Sequence, residues 1–397
     1  MWPIDFRYAS KVAQTLALLM VLILVALLVL AANHRNVRWS LGLKRPQGFV
    51  GRKNYLLVQG PPPEQITAAN QARDGNKNTA NDVTKTNVET DIRNETEDDV
   101  SLDKLNEYVR TVSLPWQQNL TALDSIRKAL DANLTALHGS VVTQENTPSG
   151  SSLHFSSWPG LAPINEKIQQ LFPKKTPFPV KPIKRCSVIG NSGTLIDSNC
   201  GDDIDKAEYV FRCNAAPISK FAKDAGRKTN LTTLNKSVLH DRYMTLKSLD
   251  SQFEFQNDMR EYNGLIWIPA YANRPSLEDC YTAKRIFQSE ISQIVFGHPQ
   301  HFLQVSKYWA TRGVKGILTT GFYLLSMALN LCEETHVFGF WPFLKNPDGQ
   351  PIKFHYYDEI GFVERTKRIH EIPLEFELLY ELHQQGILRM HVDRCRR

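Results

Sequence analysis

Short apolar runs separated by polar turns fill the second half of the chain and predict alternating strands and helices. Runs of strand length lie at residues 187–189, 209–213, 231–234, 264–269, 291–296, 336–340 and 387–392. Helical spacing of apolar residues lies at 299–310, 322–332 and 374–383. Strands that alternate with helices in this way are typical of an open α/β sheet.

Polar and glycine residues follow the first predicted strands. Gly190, Asn191, Ser192 and Gly193 come directly after one strand, and Asn214 follows the next. The carboxyl ends of strands in open α/β sheets form a ligand-binding crevice, and glycines there let backbone amides approach an anion. Taken alone, this pattern fits an ordinary turn as well as a phosphate-binding loop.

A second polar turn stands before the apolar helix at 322–332. Thr319, Thr320 and Gly321 would bring free amides and the positive end of the helix dipole to the same crevice. The alternative is a simple helix cap.

Two histidines follow this helix, and they are candidates for proton transfer or for neutralising a phosphate, because histidine titrates near neutral pH. His355 stands beside Asp358 and two tyrosines that could orient it, and His370 opens the segment HEIPLEF. We expect the remaining candidates, His240, His298 and His301, to be structural or on the surface.

The first part of the chain predicts a membrane anchor and a stem. Residues 16–32 are uninterruptedly apolar and suit a short membrane span, with 1–15 as a cytoplasmic tail. A cleaved signal peptide is the alternative, although its apolar core is normally shorter. N-glycosylation sequons after the span favour a lumenal body, hence a type II membrane protein; they stand at Asn94, Asn119, Asn133, Asn230 and Asn235.

Residues 33–150 are predicted to form the stem and 151–397 a single lumenal catalytic domain. Most of the stem is poor in aromatic residues and rich in Asn, Thr, Asp and Gly, so it is expected to be flexible. Within it, 101–138 has helical spacing, which fits either a self-associating stem helix or a helix packed on the catalytic domain. Residues 143–184 are expected to be loop-like, and their basic cluster solvated.

Composition excludes some other functions. The 397-residue chain carries a net charge of +6, yet it has no arginine-rich or aromatic-studded basic strip, so nucleic-acid binding is not expected. Its six cysteines include no C-x-x-C pair, which makes zinc improbable and leaves long-range disulfides possible.

Four separated blocks resemble the sialylmotifs of animal sialyltransferases, and the resemblance covers residues 180–397. Residues 184–217 resemble the large motif, 316–338 the small motif, 355–358 the third motif and 370–375 the very small motif. Their order and spacing, and the tail at 339–343, are similar to the alpha-2,8 branch, which adds sialic acid to sialic acid.

The resemblance implies a single α/β domain with a Rossmann-like parallel sheet flanked by helices, a variant of the nucleotide-sugar glycosyltransferase fold. The donor would be CMP-sialic acid, used with inversion and without a metal or other cofactor. His370 would be the general base, and His355 would stabilise the departing phosphate. The donor-binding residues would be Asn191, Ser192, Asn214, Thr319, Thr320, Gly321 and Trp341.

The same resemblance implies two disulfides, Cys186 with Cys332 and Cys200 with Cys395, which leaves Cys213 and Cys280 free or paired with each other. Asp203 and Asp205 form a D-x-D, the metal signature of many nucleotide-sugar transferases. Here it lies inside the large motif, where the family has similar acidic residues with no metal role, so we do not expect metal binding.

The acceptor implied is a sialylated glycoprotein or glycolipid at the Golgi membrane, and a homodimer is possible. The segment before the small motif lacks a dense basic track, so we expect transfer of one or a few residues rather than a long polymer. The alternatives are a sialyltransferase of another linkage, a catalytically inactive lectin-like homologue, or an anchored adhesion protein.

Overall fold

A parallel sheet organises the structure. The computed structural model describes residues 100–133, 139–179, 182–346, 348–359 and 370–395, without the side chains of 131–133. In these residues seven strands form one parallel sheet in the order β7-β6-β5-β4-β3-β8-β9. These are β3 (Ile183–Ile189), β4 (Tyr209–Arg212), β5 (Leu231–Thr233), β6 (Gly264–Ile268), β7 (Ser292–Phe296), β8 (Cys332–Phe338) and β9 (Arg389–His391). β1 (Ser152–His154) and β2 (Leu161–Pro163) form a separate antiparallel pair.

Helices flank the sheet and connect its strands. They are α1 (Leu102–Val112), α2 (Leu120–Asn133), α3 (Glu166–Gln169), α4 (Gly201–Asp205), α5 (Ala222–Ala225), α6 (Lys236–Asp241), α7 (Leu249–Met259), α8 (Leu277–Ile286), α9 (Pro299–Ala310), α10 (Thr320–Leu331) and α11 (Ile372–Gln384). The predicted α/β fold with a parallel sheet is therefore confirmed. α9 has its predicted bounds because His298 caps it and Pro299 occupies its first turn.

The strand order reverses next to β3. β4 to β7 extend from one side of β3, whereas β8 and β9 extend from the other. The crevice at the carboxyl ends of β3 and β8 is the switch point at which sheets of this kind bind ligands. The polar turn after β3 therefore lies where the sequence predicts a binding site.

The helical segment of the predicted stem packs on the sheet domain. Leu105 and Tyr108 of α1, and Leu123, Ile126 and Leu130 of α2, are buried in the same apolar cluster as the strands. The compact unit that holds the sheet runs from Thr90 to Arg397. Of the two alternatives for this segment, the structure has the packed helix, because its apolar stripe finds a partner surface within its own chain.

Residues 143–179 are also more ordered than the sequence pattern predicts. The segment includes the β1–β2 pair, and Phe155, Phe172 and Phe178 are buried. Its isolated aromatic residues follow neither strand nor helix periodicity, so the sequence pattern does not predict that they are buried. The predicted anchor at 16–32 lies outside the described residues, and none of the described helices is long and apolar enough to cross a membrane.

Both disulfides implied by the resemblance are present. Cys186 of β3 is bonded to Cys332 at the start of β8, and Cys200 to Cys395. The first joins the two strands beside the switch point, and the second attaches the C-terminal segment to the start of α4. Cys213 and Cys280 are free and buried.

Candidate active site

The turn after β3 is held against the end of β8 and against the third motif. The Gly190 amide donates to the Phe338 carbonyl at 2.8 Å, and the Ser192 amide to the Gly339 carbonyl at 3.1 Å. A Cβ atom on Gly190 would lie 2.2 Å from the Gly339 oxygen. Only glycine permits this approach, which is why the large motif has glycine at this position.

Asn191 joins three parts of the site. Its side-chain nitrogen donates to the Cys213 carbonyl at 3.3 Å, and its own carbonyl accepts from the Tyr356 amide at 2.9 Å. The large-motif turn, the end of β4 and the third motif therefore meet around one residue.

Asn214 lies in a bend of unusual backbone conformation. Asn214 and Ala215 have φ of 56° and 45°, in the left-handed region that is costly for alanine. The backbone amide of Asn214 donates to Thr233 Oγ1 at 2.8 Å, and that hydroxyl lies 3.4 Å from Asn214 Oδ1. The side-chain oxygen of Asn214 therefore faces Thr233, and its Nδ2 points away from Thr233.

Further side chains hold the rest of this bend. The Thr232 hydroxyl accepts from the Ala215 amide, and Arg242 donates to the Ala215 carbonyl at 2.9 Å. Tyr262 donates to Ala216 O at 3.0 Å and Tyr356 to Pro217 O at 2.8 Å. Neighbouring elements thus satisfy the polar backbone groups that a strained bend would otherwise leave unpaired.

The small-motif turn meets the large motif at Phe340. α10 begins at Thr320, with Thr319 as its N-cap. Cβ atoms on Gly190 and Gly321 would lie 3.2 Å and 2.5 Å from the Phe340 ring. Both predicted anion-binding turns therefore contact the same aromatic ring.

The Thr319 side chain does not cap the helix; it binds Glu375 of α11 instead. Glu375 accepts from the Thr319 amide at 2.7 Å and from its hydroxyl. Glu375 is buried, and this burial raises the pKa of its carboxyl to about 7, although the Thr319 hydrogen bonds act in the opposite direction. A buried carboxyl thus fixes the first residue of the small-motif turn.

His370 lies at the same turn. Its Nδ1 is 2.6 Å from the Ile317 carbonyl oxygen, and because a carbonyl can only accept, Nδ1 carries the hydrogen. The lone pair of neutral His370 is therefore on Nε2. Glu371 Oε2 accepts from the amides of Lys315 and Gly316 at 2.9 Å and 2.7 Å, which holds the Ile317 segment in place.

His355 is oriented by a carboxylate, as its sequence setting predicts. Its Nδ1 lies 2.7 Å from Asp358 Oδ2, and Tyr357 stacks on its ring. An imidazole whose Nδ1 hydrogen points at a carboxylate can take a second proton on Nε2 and then presents a positive charge. His355 belongs to the loop bonded to Asn191, whereas His370 belongs to the small-motif side.

Trp341 and Ser192 are buried predicted site residues whose side chains are engaged within the fold. The Trp341 indole donates to the Lys345 carbonyl at 2.7 Å, and its ring packs on Phe343 and Phe376. The Ser192 hydroxyl accepts from the Thr194 amide and caps a short turn. The structure thus ties both residues into the fold, and their contact with a donor stays a prediction.

The D-x-D aspartates are engaged in structural contacts. Asp203 pairs with Lys206, and the Asp205 carboxylate accepts from the amides of Arg227 and Lys228 at 2.8 to 3.0 Å. Within the described ranges no group of three or more His, Cys, Asp or Glu is arranged to hold a metal ion.

Sequence reasoning missed Asn235 and the role of Glu375. Asn235 Nδ2 donates to Thr320 Oγ1 at 2.9 Å, so it links the end of β5 to the small motif. Its position just after a predicted strand is the signal that identifies it as a candidate site residue. Glu375 shares a helix face with buried Leu379 and Leu382, and a carboxylate on an apolar face is a signal in its own right.

The chain is similar in sequence to proteins of one family. The model of glycosyltransferase family 29 (sialyltransferase) matches residues 141–387. A Xenopus tropicalis protein, alpha-N-acetylneuraminide alpha-2,8-sialyltransferase, is 37% identical over 291 residues, which cover 71% of this chain and 82% of that protein. Human alpha-2,8-sialyltransferase 8E is 36% identical over 70% of this chain and 75% of its own length. A crystal structure of a mammalian sialyltransferase aligns with 74% of this chain and 87% of its own, at 20% identity and a TM-score of 0.39.

Proposed function

The chain belongs to glycosyltransferase family 29, the sialyltransferases, and we propose that it transfers sialic acid from CMP-sialic acid to the 8-hydroxyl of a terminal sialic acid. The acceptor would be the glycan of a glycoprotein or glycolipid. This linkage is supported by the names of the relatives, which are alpha-2,8-sialyltransferases. The match to this chain covers most of the length of each relative.

The observation that carries the mechanism is the tautomer of His370. With its hydrogen on Nδ1 directed to Ile317, Nε2 can accept the proton of the acceptor 8-hydroxyl. The oxygen then attacks C2 of the donor sialic acid, the bond from C2 to the phosphate oxygen breaks, and CMP leaves. A single displacement of this kind inverts the anomeric carbon.

His355 is proposed to stabilise the phosphate of the departing CMP. Its pairing with Asp358 supports a positive charge facing the phosphate. We assign donor binding to Asn191, Asn214 and the turn at 319–321, with Ser192 and Trp341 as further donor contacts. Asn235 joins this set because it bonds Thr320.

The reaction is proposed to need no metal. A monophosphate leaving group develops less charge than a diphosphate, and one cationic histidine can offset it. The engagement of Asp205 with two backbone amides supports a structural role for the D-x-D aspartates.

We propose a Golgi location with the catalytic domain in the lumen, anchored by residues 16–32. The packing of α1 and α2 on the sheet supports a domain that starts near residue 100, rather than at 151.

The test is transfer by the full chain, solubilised in detergent, with CMP-sialic acid, EDTA, and paired sialylated and desialylated acceptors. Linkage-specific sialidases then identify the product. Transfer only to sialylated acceptors, unaffected by EDTA, is the expected result. Transfer to galactose-terminated acceptors would assign another linkage, and donor binding without any transfer would favour an inactive homologue.

The general base is tested with His370→Ala beside His154→Ala, a matched control at an exposed histidine of β1. We expect the first change to reduce kcat by roughly 100-fold to 10,000-fold and the second to leave it unchanged. Full activity of His370→Ala would remove His370 from the mechanism.

A further inference from the structure

The sequons differ in what their asparagines do in the folded chain. Asn119, Asn230 and Asn235 lie in the described residues with their side chains. Asparagine glycosylation joins a sugar to Nδ2, so a glycan needs that nitrogen exposed and free, and it leaves the carbonyl oxygen available as an acceptor.

Asn119 meets these requirements. It is exposed, and its Oδ1 accepts from the Ala122 amide at 3.0 Å, which caps the first turn of α2. The cap uses the oxygen and turns Nδ2 outward. The sequon hydroxyl belongs to Thr121, which is also exposed.

Asn119 also lies at the opposite end of the sheet from the candidate site. The backbone amide of Asn119 donates to the carbonyl of Gly386 at 2.8 Å, in the turn before β9. The neighbouring Gln118 donates to the carbonyl of Glu333, at the start of β8. Both contacts are at the amino ends of strands, whereas Asn191, Asn214 and Thr319 are at the carboxyl edge. A glycan on Asn119 therefore leaves the crevice open.

Asn235 fails the same requirements. Its Nδ2, the atom that would carry the sugar, donates to Thr320 Oγ1 at 2.9 Å. A glycan there would break this contact and occupy the crevice between the large and small motifs.

Asn230 is engaged inside the sheet. Its Oδ1 accepts from the Val210 amide at 2.9 Å, and its backbone carbonyl accepts from Leu265 at 2.8 Å. The sequon hydroxyl belongs to Thr232, which is fully buried and accepts from Ala215. Unlike the exposed Asn119, Asn230 is only partly exposed, and its two oxygens join β4 and β6, so a glycan on its Nδ2 would crowd the strands on both sides of β5.

We propose that Asn119 carries an N-linked glycan and that Asn230 and Asn235 do not. The step forms a bond between Nδ2 and C1 of the first sugar and breaks the bond from C1 to phosphate in a lipid-linked oligosaccharyl diphosphate, with loss of one Nδ2 proton. The inference rests on the lumenal location proposed above.

The test expresses the full chain in animal cells and compares gel mobility before and after removal of N-glycans. Thr121→Ala removes the Asn119 sequon without touching the cap, and Thr121→Ser keeps the sequon as the matched control. Ser237→Ala removes the Asn235 sequon but leaves Asn235 in place. We expect Thr121→Ala to lose one glycan step, and Thr121→Ser and Ser237→Ala to lose none.

Glycopeptide mass spectrometry of the active enzyme gives the occupancy of each site. We expect Asn119 occupied, and Asn230 and Asn235 bare. A glycan on Asn230 or Asn235, or a bare Asn119 in a chain glycosylated elsewhere, would overturn the proposal. A chain with no glycan at any sequon would overturn it together with the lumenal location, whereas the transfer assay would still judge the enzymatic activity independently.

Discussion

Thr233 fixes the direction in which Asn214 presents its amide, although it has no assigned role in the chemistry. Its hydroxyl accepts from the Asn214 backbone and lies beside Asn214 Oδ1. Loss of this hydroxyl frees the amide to rotate and relaxes a bend that has φ of 56°. The effect should appear in donor binding, since we propose that Asn214 holds the donor.

We predict that Thr233→Val raises KM for CMP-sialic acid roughly fivefold, the equivalent of about 1 kcal/mol for one hydrogen bond, with a smaller change in kcat. Initial rates at varied donor concentration measure both. Thr233→Ser keeps the hydroxyl and should restore the wild-type KM. A serine variant as impaired as valine would show that the methyl packing, and not the hydrogen bond, matters.

Glu375 predicts a specific pH dependence of stability. Its folded pKa is about 7, above the ordinary value of 4.5. The carboxyl is therefore easier to ionise in the unfolded chain, and stability is lost as pH rises from about 4.5 to 7. At pH 8 the cost is on the order of 3 kcal/mol.

Glu375→Gln removes this titration while its amide can still pair with Thr319. We expect the variant to gain free energy of unfolding relative to wild type between pH 5 and pH 8, as measured by denaturant unfolding at each pH. A constant difference across that range would contradict the raised pKa. Glu375→Leu is the harsher comparison, because it leaves the Thr319 amide unpaired at a cost of about 1–3 kcal/mol.

At the scale of elements, the edge of the sheet contains a pair of histidines. His336 Nδ1 of β8 lies 3.0 Å from His391 Nε2 of β9, and Glu334 contacts the other side of the His336 ring. Burial lowers the pKa of both imidazoles. At His391, the nearby Arg185, Arg389 and His383 lower the pKa further, whereas at His336 the carboxylate of Glu334 acts in the opposite direction. The pairing of β8 with β9 thus favours neutral rings.

A protein whose histidines stay neutral in the folded state loses stability in acid, because its unfolded chain binds protons that the folded chain does not bind. We predict that this histidine pair makes the wild-type free energy of unfolding decrease as pH drops below about 6.5. His391→Gln keeps a polar partner for His336 but cannot titrate, so its acid sensitivity should be smaller. His240→Gln, at an exposed histidine, is the control and should follow the wild type.

At the scale of the whole molecule, α1 and α2 complete the core. Besides their buried apolar residues, Trp116 donates to the His383 carbonyl and Arg127 Nε to the Leu329 carbonyl at 2.8 Å. Burying five large apolar side chains contributes on the order of 10 kcal/mol, comparable to the total stability of a typical domain. These helices therefore belong to the folding unit.

We predict that a secreted fragment starting at residue 100 folds and one starting at residue 151 does not. Secretion yield and the cooperativity of thermal unfolding of the two fragments measure this. Equal yield and equal unfolding midpoints would mean that the helices are an accessory layer. A fragment starting at 100 that carries Leu130→Ala should lie between them, at a cost of about 2–5 kcal/mol.

Much of the site could be predicted because its chemistry is local in sequence. Gly190 and Gly193 follow a strand, Thr319 to Gly321 lie at the start of a helix, and Asp358 is three residues from His355. Each is a short-range pattern tied to one element boundary, and each lies where it was expected. Partners distant in sequence, such as Glu375 with Thr319 or Asn235 with Thr320, follow no such pattern.

The sequence by itself determined the strands of the parallel sheet, the order of the motifs and the residues at the carboxyl ends, because strand and helix periodicity is set by neighbouring residues. Only the tertiary structure decided that α1 and α2 pack on the sheet, that Thr319 bonds a buried carboxyl instead of capping its helix, and that Asn235 lies in the crevice while Asn119 lies at the opposite edge. Each of these depends on contacts between residues that are far apart in the chain, and the geometry of such contacts is fixed only when the sheet closes.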